Sequence, residues 1–128
     1  MKEPKRKKVL VVEDDLHVKD MICQLIQSLE ERCDIVEAST GEEALSMVDK
    51  EKPDLIVLDI FLPSMNGFEF CQKVKGEMGL SKMKILAITG FPENDNIKKI
   101  YDSGADLCIM KPLHLDHFRQ EVKRLLSD

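Results

Sequence analysis

The chain has 128 residues, of which 43% are hydrophobic and 34% are charged, and its formal net charge is −5 at pH 7. This length and composition predict one globular domain with a buried core, and they exclude a disordered chain. No apolar run approaches the length of a membrane span or of a signal-peptide core, so we expect a cytoplasmic protein without a membrane partner.

Charge is distributed unevenly along the chain. Residues 2–8 hold five basic side chains and one acidic side chain, a net charge of +4, so the remaining residues carry −9 (−5 minus +4). We predict a flexible basic leader over residues 1–8 and a folded domain over residues 9–128. A basic leader can contact nucleic acid or an anionic membrane, but a solubilising leader is the favoured interpretation. The acidic domain itself argues against a nucleic-acid partner.

The first half of the domain alternates strand and helix patterns. A continuous apolar run predicts a buried strand over Val9–Val12, and apolar residues at helical spacing from Val18 to Leu29 predict the helix that follows. Cys33–Ala38 is a weaker run that predicts an edge strand. Thr40–Glu43 matches a capping box that opens a second helix, and Asp54–Leu58 predicts the third strand.

The second half continues this alternation. Its predicted elements are a loop over Ile60–Asn66, a helix carrying Phe68, Cys71 and Val74, a strand over Met83–Ile88, a helix from Pro92-Glu93 to the terminator Gly104, a strand over Asp106–Met110, and a helix striped by Leu115, Phe118, Val122, Leu125 and Leu126. Five βα units in sequence predict an α/β fold with a doubly wound parallel sheet. No linker, repeat or second domain remains, so any output domain is expected to be absent from this sequence.

Four of the predicted strands run directly into polar residues. Because the carboxyl ends of parallel strands open on the same edge of a sheet, where ligands of α/β folds bind, these residues are expected to form one site. They are Glu13, Asp14 and Asp15 after the first strand, Asp59 after the third, Thr89 after the fourth and Lys111 after the fifth.

Asp59 is the pivotal residue of the predicted site. An Asp after a strand often caps the next helix, but a loop intervenes here, and Ser64 or Asn66 is the better cap. Asp59 is therefore predicted to be functional. Lys111 can pair with Asp59 and then with added phosphoryl oxygens, and the Thr89 hydroxyl can bond to the same group. Taken alone, a lysine at a strand end or a threonine in a turn also has a structural explanation.

The acidic cluster has two interpretations. Asp15 or Asp14 can cap the first helix. Adjacent acids at a buried sheet edge repel one another, however, and carboxylates with few other donors suit Mg²⁺ or Mn²⁺. A cation between Asp14 and Asp59 would let a phosphoryl group approach a carboxylate that otherwise repels it.

Together these motifs resemble the response-regulator receiver domain, the CheY-like phosphoacceptor module of two-component signalling. The resemblance covers essentially the whole chain and lies in the acidic cluster after the first strand, in Leu58–Pro63 with Asn66-Gly67, in Thr89-Gly90 and in Lys111-Pro112. It implies a flavodoxin-like sheet with strand order 2-1-3-4-5. It also implies a cis peptide bond between Lys111 and Pro112.

The resemblance implies a signalling switch and not an enzyme, apart from promotion of its own phosphotransfer and dephosphorylation. Asp59 would accept a phosphoryl group from a histidine kinase or a histidine phosphotransfer protein, and Lys111 and Thr89 would hold that group. Mg²⁺ would be bound by Glu13 through water, Asp14, Asp59 and the backbone carbonyl of Phe61. A downstream effector protein, or an output domain absent from this sequence, would bind the switched face around the fourth helix, fifth strand and fifth helix.

Two departures from the receiver pattern change what is expected. Cys108 stands where receivers commonly have a Tyr or Phe that swings inward with the switch hydroxyl, so output is expected through movement near Phe91 and Tyr101 instead. Phe61 and Phe91 flank the position of the attacking water and offer it no hydrogen bond, so we predict slow self-dephosphorylation. Two loop aromatics that simply pack together are the structural alternative.

Other functions fit the same residues less well. Because Cys108 replaces the usual aromatic residue, a receiver that docks partners without phosphate is the alternative function. A metal-dependent phosphatase would need a second acid where Phe61 stands, and a flavin or dinucleotide domain would need a glycine-rich loop after the first strand. His114 and His117 lack a third ligand, so no metal site is expected there.

The cysteines show no spacing typical of a zinc site. Cys23, Cys71 and Cys108 fall on apolar faces and are expected in the core, in a reducing compartment.

Overall fold

The computed structural model describes residues 6–30, 32–62, 65–90 and 94–127. Within these ranges, strands and helices alternate along the chain. The strands are β1 Lys7–Val12, β2 Cys33–Ala38, β3 Leu55–Asp59, β4 Lys84–Thr89 and β5 Leu107–Met110. The helices are α1 Leu16–Gln27, α2 Gly41–Glu51, α3 Gly67–Gln72, α4 Asn94–Asp102 and α5 Leu115–Ser127.

The strands form one parallel sheet with the order β2-β1-β3-β4-β5. This confirms the predicted (βα)5 α/β fold and its flavodoxin-like strand order. The edge position predicted for Cys33–Ala38 is confirmed as well. The central strands β1, β3 and β4 are buried on both faces over most of their length. This explains why their sequences are continuous apolar runs and not alternating ones.

Each face of the sheet carries an apolar layer. On one face, α2, α3 and α4 pack against the strands around the fully buried Phe70. On the other face, α1 and α5 pack around the fully buried Phe118. Leu10 belongs to the first layer and Val11 to the second, because successive side chains of a strand point to opposite faces.

Side-chain caps fix where three helices begin. The Asp15 carboxylate accepts hydrogen bonds from two amides of the first turn of α1, at 2.9 and 3.1 Å, so Asp15 and not Asp14 is the cap. Thr40 accepts a bond from the third amide of α2 at 3.1 Å, which confirms the predicted cap. Asn66 does the same for α3 at 2.9 Å, and Ser64, the alternative cap, lies outside the described residues.

The sheet begins earlier than predicted. β1 starts at Lys7 and not at Val9, because Lys7 and Lys8 pair with the first residues of β2. The last two residues of the predicted leader therefore belong to the sheet. No helix in the described part of the chain is both long and apolar enough to cross a membrane.

The predicted third and fourth helices differ from expectation in different ways. The third continues past Gln72 as a π-helix over Lys73–Glu77. Apolar periodicity did not predict this, because a pattern over so few residues does not distinguish a single i→i+5 turn from an i→i+4 turn. The predicted start of the fourth helix at Pro92-Glu93 lies outside the described residues, and Gly104 has the left-handed φ of +119° expected after a helix end.

Candidate functional site

The strand order brings the predicted polar residues to one edge of the sheet. β1, β3, β4 and β5 are successive neighbours, and their carboxyl ends lie at the same edge. Asp59 and Thr89 are the last residues of β3 and β4, whereas the sequence predicted that each would directly follow its strand. Glu13 directly follows β1, and Lys111 directly follows β5.

Glu13, Asp14 and Asp59 form an acidic group at this edge. One carboxylate oxygen from each residue lies within 4.8 Å of the others. Glu13 and Asp59 are only 2% and 7% exposed, whereas Asp14 is exposed. Over the ranges that the structure describes, this is the one group of three or more His, Cys, Asp or Glu side chains arranged to hold a metal ion.

Glu13 is the least satisfied member of this group. Its Oε1 accepts a bond from Asp15 N at 3.3 Å, but its Oε2 is buried and has no hydrogen-bond partner among the described residues. Burial and the charge of the neighbouring Asp59 raise the pKa of Glu13 to about 8, and the charge of Lys111 partly opposes this. A buried oxygen without a partner, next to repelling carboxylates, fits a hard divalent cation such as Mg²⁺.

The two carboxylate oxygens of Asp59 have different partners. Oδ1 accepts a hydrogen bond from Phe61 N at 3.0 Å, and Oδ2 lies 3.3 Å from Lys111 Nζ. The expected pairing of Asp59 with Lys111 is therefore present. These two bonds hold the carboxylate in one orientation beside the other acids.

Backbone contacts place Lys111 and Thr89. The N–H of Lys111 donates to Thr89 O at 2.8 Å and joins the ends of β4 and β5. The Lys111–Pro112 peptide bond is cis, as the receiver resemblance implies. Thr89 is fully buried and lies opposite Met110 in the sheet. Both residues thus lie at the edge that carries Asp59, and the Lys111 ammonium contacts its carboxylate.

The loop after Asp59 depends on a close backbone approach. Gly67 N donates to Ile60 O at 2.6 Å, and a Cβ at position 67 would lie 2.7 Å from Ile60 Cα. Any side chain at Gly67 would therefore displace the backbone next to Asp59. A Cβ at Gly41 would likewise lie 2.8 Å from Met65 Cβ. The path of the loop after Asp59 decides the first contact, and the packing of the Met65 side chain on α2 decides the second, so local sequence patterns did not predict them.

The residues that depart from the receiver pattern have distinct environments. Phe61 is 41% exposed, and its N–H bonds to Asp59. Phe91 lies outside the described residues. Cys108 is half-buried against the layer that α2, α3 and α4 form with the sheet. Its N–H donates to the hydroxyl of Tyr101 at 3.0 Å, a contact that no sequence motif signals.

The four cysteines are free thiols. Cys71 is buried as predicted, and burial raises its pKa to about 12. Cys23 and Cys108 are only partly buried and pack at the margins of the two apolar layers, so their predicted core positions are confirmed in part. His114 and His117 are exposed.

Comparison with known proteins agrees with this geometry. The family model for the response regulator receiver domain matches residues 9–123. The chain belongs to this family. A CheY-like response regulator receiver domain protein from Methanospirillum hungatei JF-1 has a crystal structure similar to this receiver, with a TM-score of 0.84 and 30% identity, covering 96% of this chain and 95% of that chain.

Two curated relatives show how the receiver is used in other proteins. The alkaline phosphatase synthesis transcriptional regulatory protein PhoP of Bacillus subtilis (strain 168) is 37% identical over 122 residues, which are 94% of this receiver and 48% of PhoP. Sporulation initiation phosphotransferase F of the same organism is 29% identical over 119 residues, 93% of each chain. The receiver thus spans about half of one relative and nearly all of the other.

Proposed function

We propose that this receiver domain is a phosphorylation switch in which Asp59 accepts the phosphoryl group. The donor is a histidine kinase or a histidine phosphotransfer protein, and the transfer requires Mg²⁺ or Mn²⁺. The observation that carries the proposal is the position of the Asp59 carboxylate, which lies within 4.8 Å of ligand oxygens of Glu13 and Asp14 and 3.3 Å from Lys111 Nζ. A partner protein or an output domain would bind the switched face around α4, β5 and α5.

A divalent cation fits beside Asp59. Carboxylate oxygens of Glu13, Asp14 and Asp59 lie close enough together to hold it. Asp14 and Asp59 would bind the ion directly, Glu13 would bind it through water, and the backbone carbonyl of Phe61 would be the fourth ligand. When bound, the cation neutralises the carboxylates so that an anionic donor can approach. The buried Oε2 of Glu13 then gains a partner that the described protein atoms do not offer.

The transfer itself needs few protein groups. A carboxylate oxygen of Asp59 attacks the phosphorus of the donor phosphohistidine. The new P–O bond forms as the P–N bond breaks, and the imidazole keeps the electron pair and takes a proton from solvent. Lys111 then pairs with the phosphoryl oxygens, and the Thr89 hydroxyl donates to another of them. The receiver promotes its own modification and is not proposed to act on other substrates.

The rival functions account for fewer of these contacts. A metal-dependent phosphatase needs an acid two residues after its nucleophile, and this chain has the partly exposed Phe61 there. An anionic flavin or dinucleotide would meet the acidic group directly. A receiver that docks partners without phosphate leaves unexplained why Asp59 and Glu13 are buried together beside Lys111.

Intact mass spectrometry tests the proposal. The wild type, Asp59→Asn and the control Asp34→Asn, an exposed Asp of β2, are incubated with acetyl phosphate, with and without Mg²⁺. We expect the wild type and the control to gain one phosphoryl group only with Mg²⁺, and Asp59→Asn to gain none. A gain in Asp59→Asn would place the acceptor elsewhere. No gain in the wild type with either Mg²⁺ or Mn²⁺ would favour phosphate-independent docking.

A further inference from the structure

Tyr101 connects α4 to the edge of the sheet. It is the single tyrosine of a chain without tryptophan, and it lies near the end of α4. Its hydroxyl oxygen accepts a hydrogen bond from Cys108 N at 3.0 Å. Because β5 is an edge strand, its amides that point away from β4 have no partner strand. Tyr101 supplies a partner for one of these amides at the surface.

Two further contacts hold the same half of α4. Lys99 Nζ lies 4.6 Å from the centre of the Phe68 ring on α3, a cation–π geometry. The side chain of Ile100 is fully buried in the apolar layer. Of these three contacts, the hydrogen bond of Tyr101 is the directional one, and it joins α4 to β5.

The connection between β4 and α4 links this contact to the phosphorylation site. Thr89 is the buried last residue of β4, and a short segment leads from it to α4. Cys108 lies opposite Ala87, two residues before Thr89. The proposed function implies that the Thr89 hydroxyl bonds to a phosphoryl group on Asp59, and movement of Thr89 would shift the start of α4 relative to β5. The hydrogen bond from Cys108 N to the Tyr101 hydroxyl joins the same two elements, β5 and α4.

We propose that Tyr101 is a latch. In the unphosphorylated domain its hydroxyl holds α4 on the edge of β5, and the bond to Cys108 N breaks when Asp59 is phosphorylated. Opening exposes an unpaired amide and the half-buried Cys108 next to the exposed Met110, and so changes the surface that a partner contacts. The opening step rests on the proposed function, whereas the closed latch does not depend on it.

Amide hydrogen exchange tests the closed latch without phosphorylation. Tyr101→Phe keeps the ring and removes the hydroxyl, so the Cys108 amide is expected to exchange about five-fold faster, the effect of losing one hydrogen bond. Ser103→Ala is the matched control, because the Ser103 hydroxyl donates within its own segment, to Lys99 O at 2.7 Å. Equal exchange of the Cys108 amide in wild type and Tyr101→Phe would overturn the latch.

Tyrosine fluorescence tests the opening, because all tyrosine emission comes from Tyr101. Wild type and Asp59→Asn are incubated with acetyl phosphate and Mg²⁺, and emission, intact mass and Cys108 amide exchange are measured on the same samples. We expect the wild type alone to gain one phosphoryl group, with altered emission and faster exchange of the Cys108 amide.

The possible failures of this experiment are distinguishable. A gain in mass with unchanged emission and unchanged exchange would overturn the opening and leave the proposed function intact. No gain in mass would overturn the proposed function and the opening together. The comparison of Tyr101→Phe with Ser103→Ala would then still decide whether the closed latch exists.

Discussion

Replacing Glu13 with Gln is predicted to stabilise the metal-free domain. Glu13 and Asp59 are buried with carboxylate oxygens within 4.8 Å of each other, and Glu13 Oε2 has no hydrogen-bond partner among the described residues. Where the pH is high enough to ionise Glu13, glutamine removes one of the two negative charges, and its amide can donate to the Asp59 carboxylate. Both changes favour the folded state.

The environment of Glu13 sets the size of this effect. Burial first, and then the charge of Asp59, raise the pKa of Glu13 from 4.5 to about 8. A rise of this size corresponds to about 5 kcal/mol against the ionised form. We expect only part of this energy, roughly 2 kcal/mol, to appear as added stability of the variant, which lies in the range of about 1–3 kcal/mol typical of an unsatisfied buried group.

The sign of the pH dependence follows from the same shift. The folded protein holds the Glu13 proton more tightly than the unfolded chain does. The free energy of unfolding of the wild type therefore falls as the pH rises from 4.5 to about 8. The advantage of Glu13→Gln should grow over the same interval and be small below it.

Urea unfolding at pH 5 and pH 8, in EDTA and in Mg²⁺, measures these differences. In EDTA, Glu13→Gln should unfold at a higher urea concentration than wild type, with the larger difference at pH 8. Mg²⁺ should stabilise the wild type more than the variant, because the ion binds the folded state through these carboxylates. Glu37→Gln, an exposed site on β2, is the control. A variant less stable than wild type in EDTA at pH 8 would refute the reasoning.

Two further predictions concern the loops beside the site, and a third concerns the opposite edge of the sheet. Phe61→Asn with Phe91→Glu should shorten the lifetime of the phosphorylated domain by roughly ten-fold or more, and unchanged decay of the phosphorylated mass would show that these side chains do not shield it. Gly67→Ala should lower the free energy of unfolding by about 1–3 kcal/mol, because its Cβ would lie 2.7 Å from a backbone atom. Gly76→Ala is the control, because a Cβ there meets open space. Equal urea midpoints for the two variants would contradict the prediction. Asp106→Ala should lower the free energy of unfolding by about 1–3 kcal/mol, and by more than Lys75→Met does. Asp106 Oδ2 accepts bonds from Ile85 N (2.8 Å) and from Lys75 Nζ (3.0 Å), so loss of the carboxylate leaves the Ile85 amide unpaired. Equal losses in urea unfolding would exclude that role.

Local sequence patterns were sufficient for the elements and for much of the site. The runs Val9–Val12 and Leu55–Leu58 predict buried strands because both faces of a central strand need apolar residues. Thr40 and Asn66 predict helix starts because their side chains can accept a bond from amides of the first turn. Asp59 could be singled out because another residue was available to cap the helix that follows it.

The tertiary structure alone decided what these side chains contact. Asp59 and Lys111 are separated by 52 positions in the chain, and only the order and register of β3, β4 and β5 bring them to 3.3 Å. The same order places Glu13 against Asp59 and raises its pKa. Only the folded chain shows that Asp15 and not Asp14 caps α1. The bond between Tyr101 and an amide of β5 is likewise visible only there. The physical reason is that burial and apolar periodicity act along one element and can be recognised in its sequence, whereas hydrogen bonds and charge interactions depend on distances between elements.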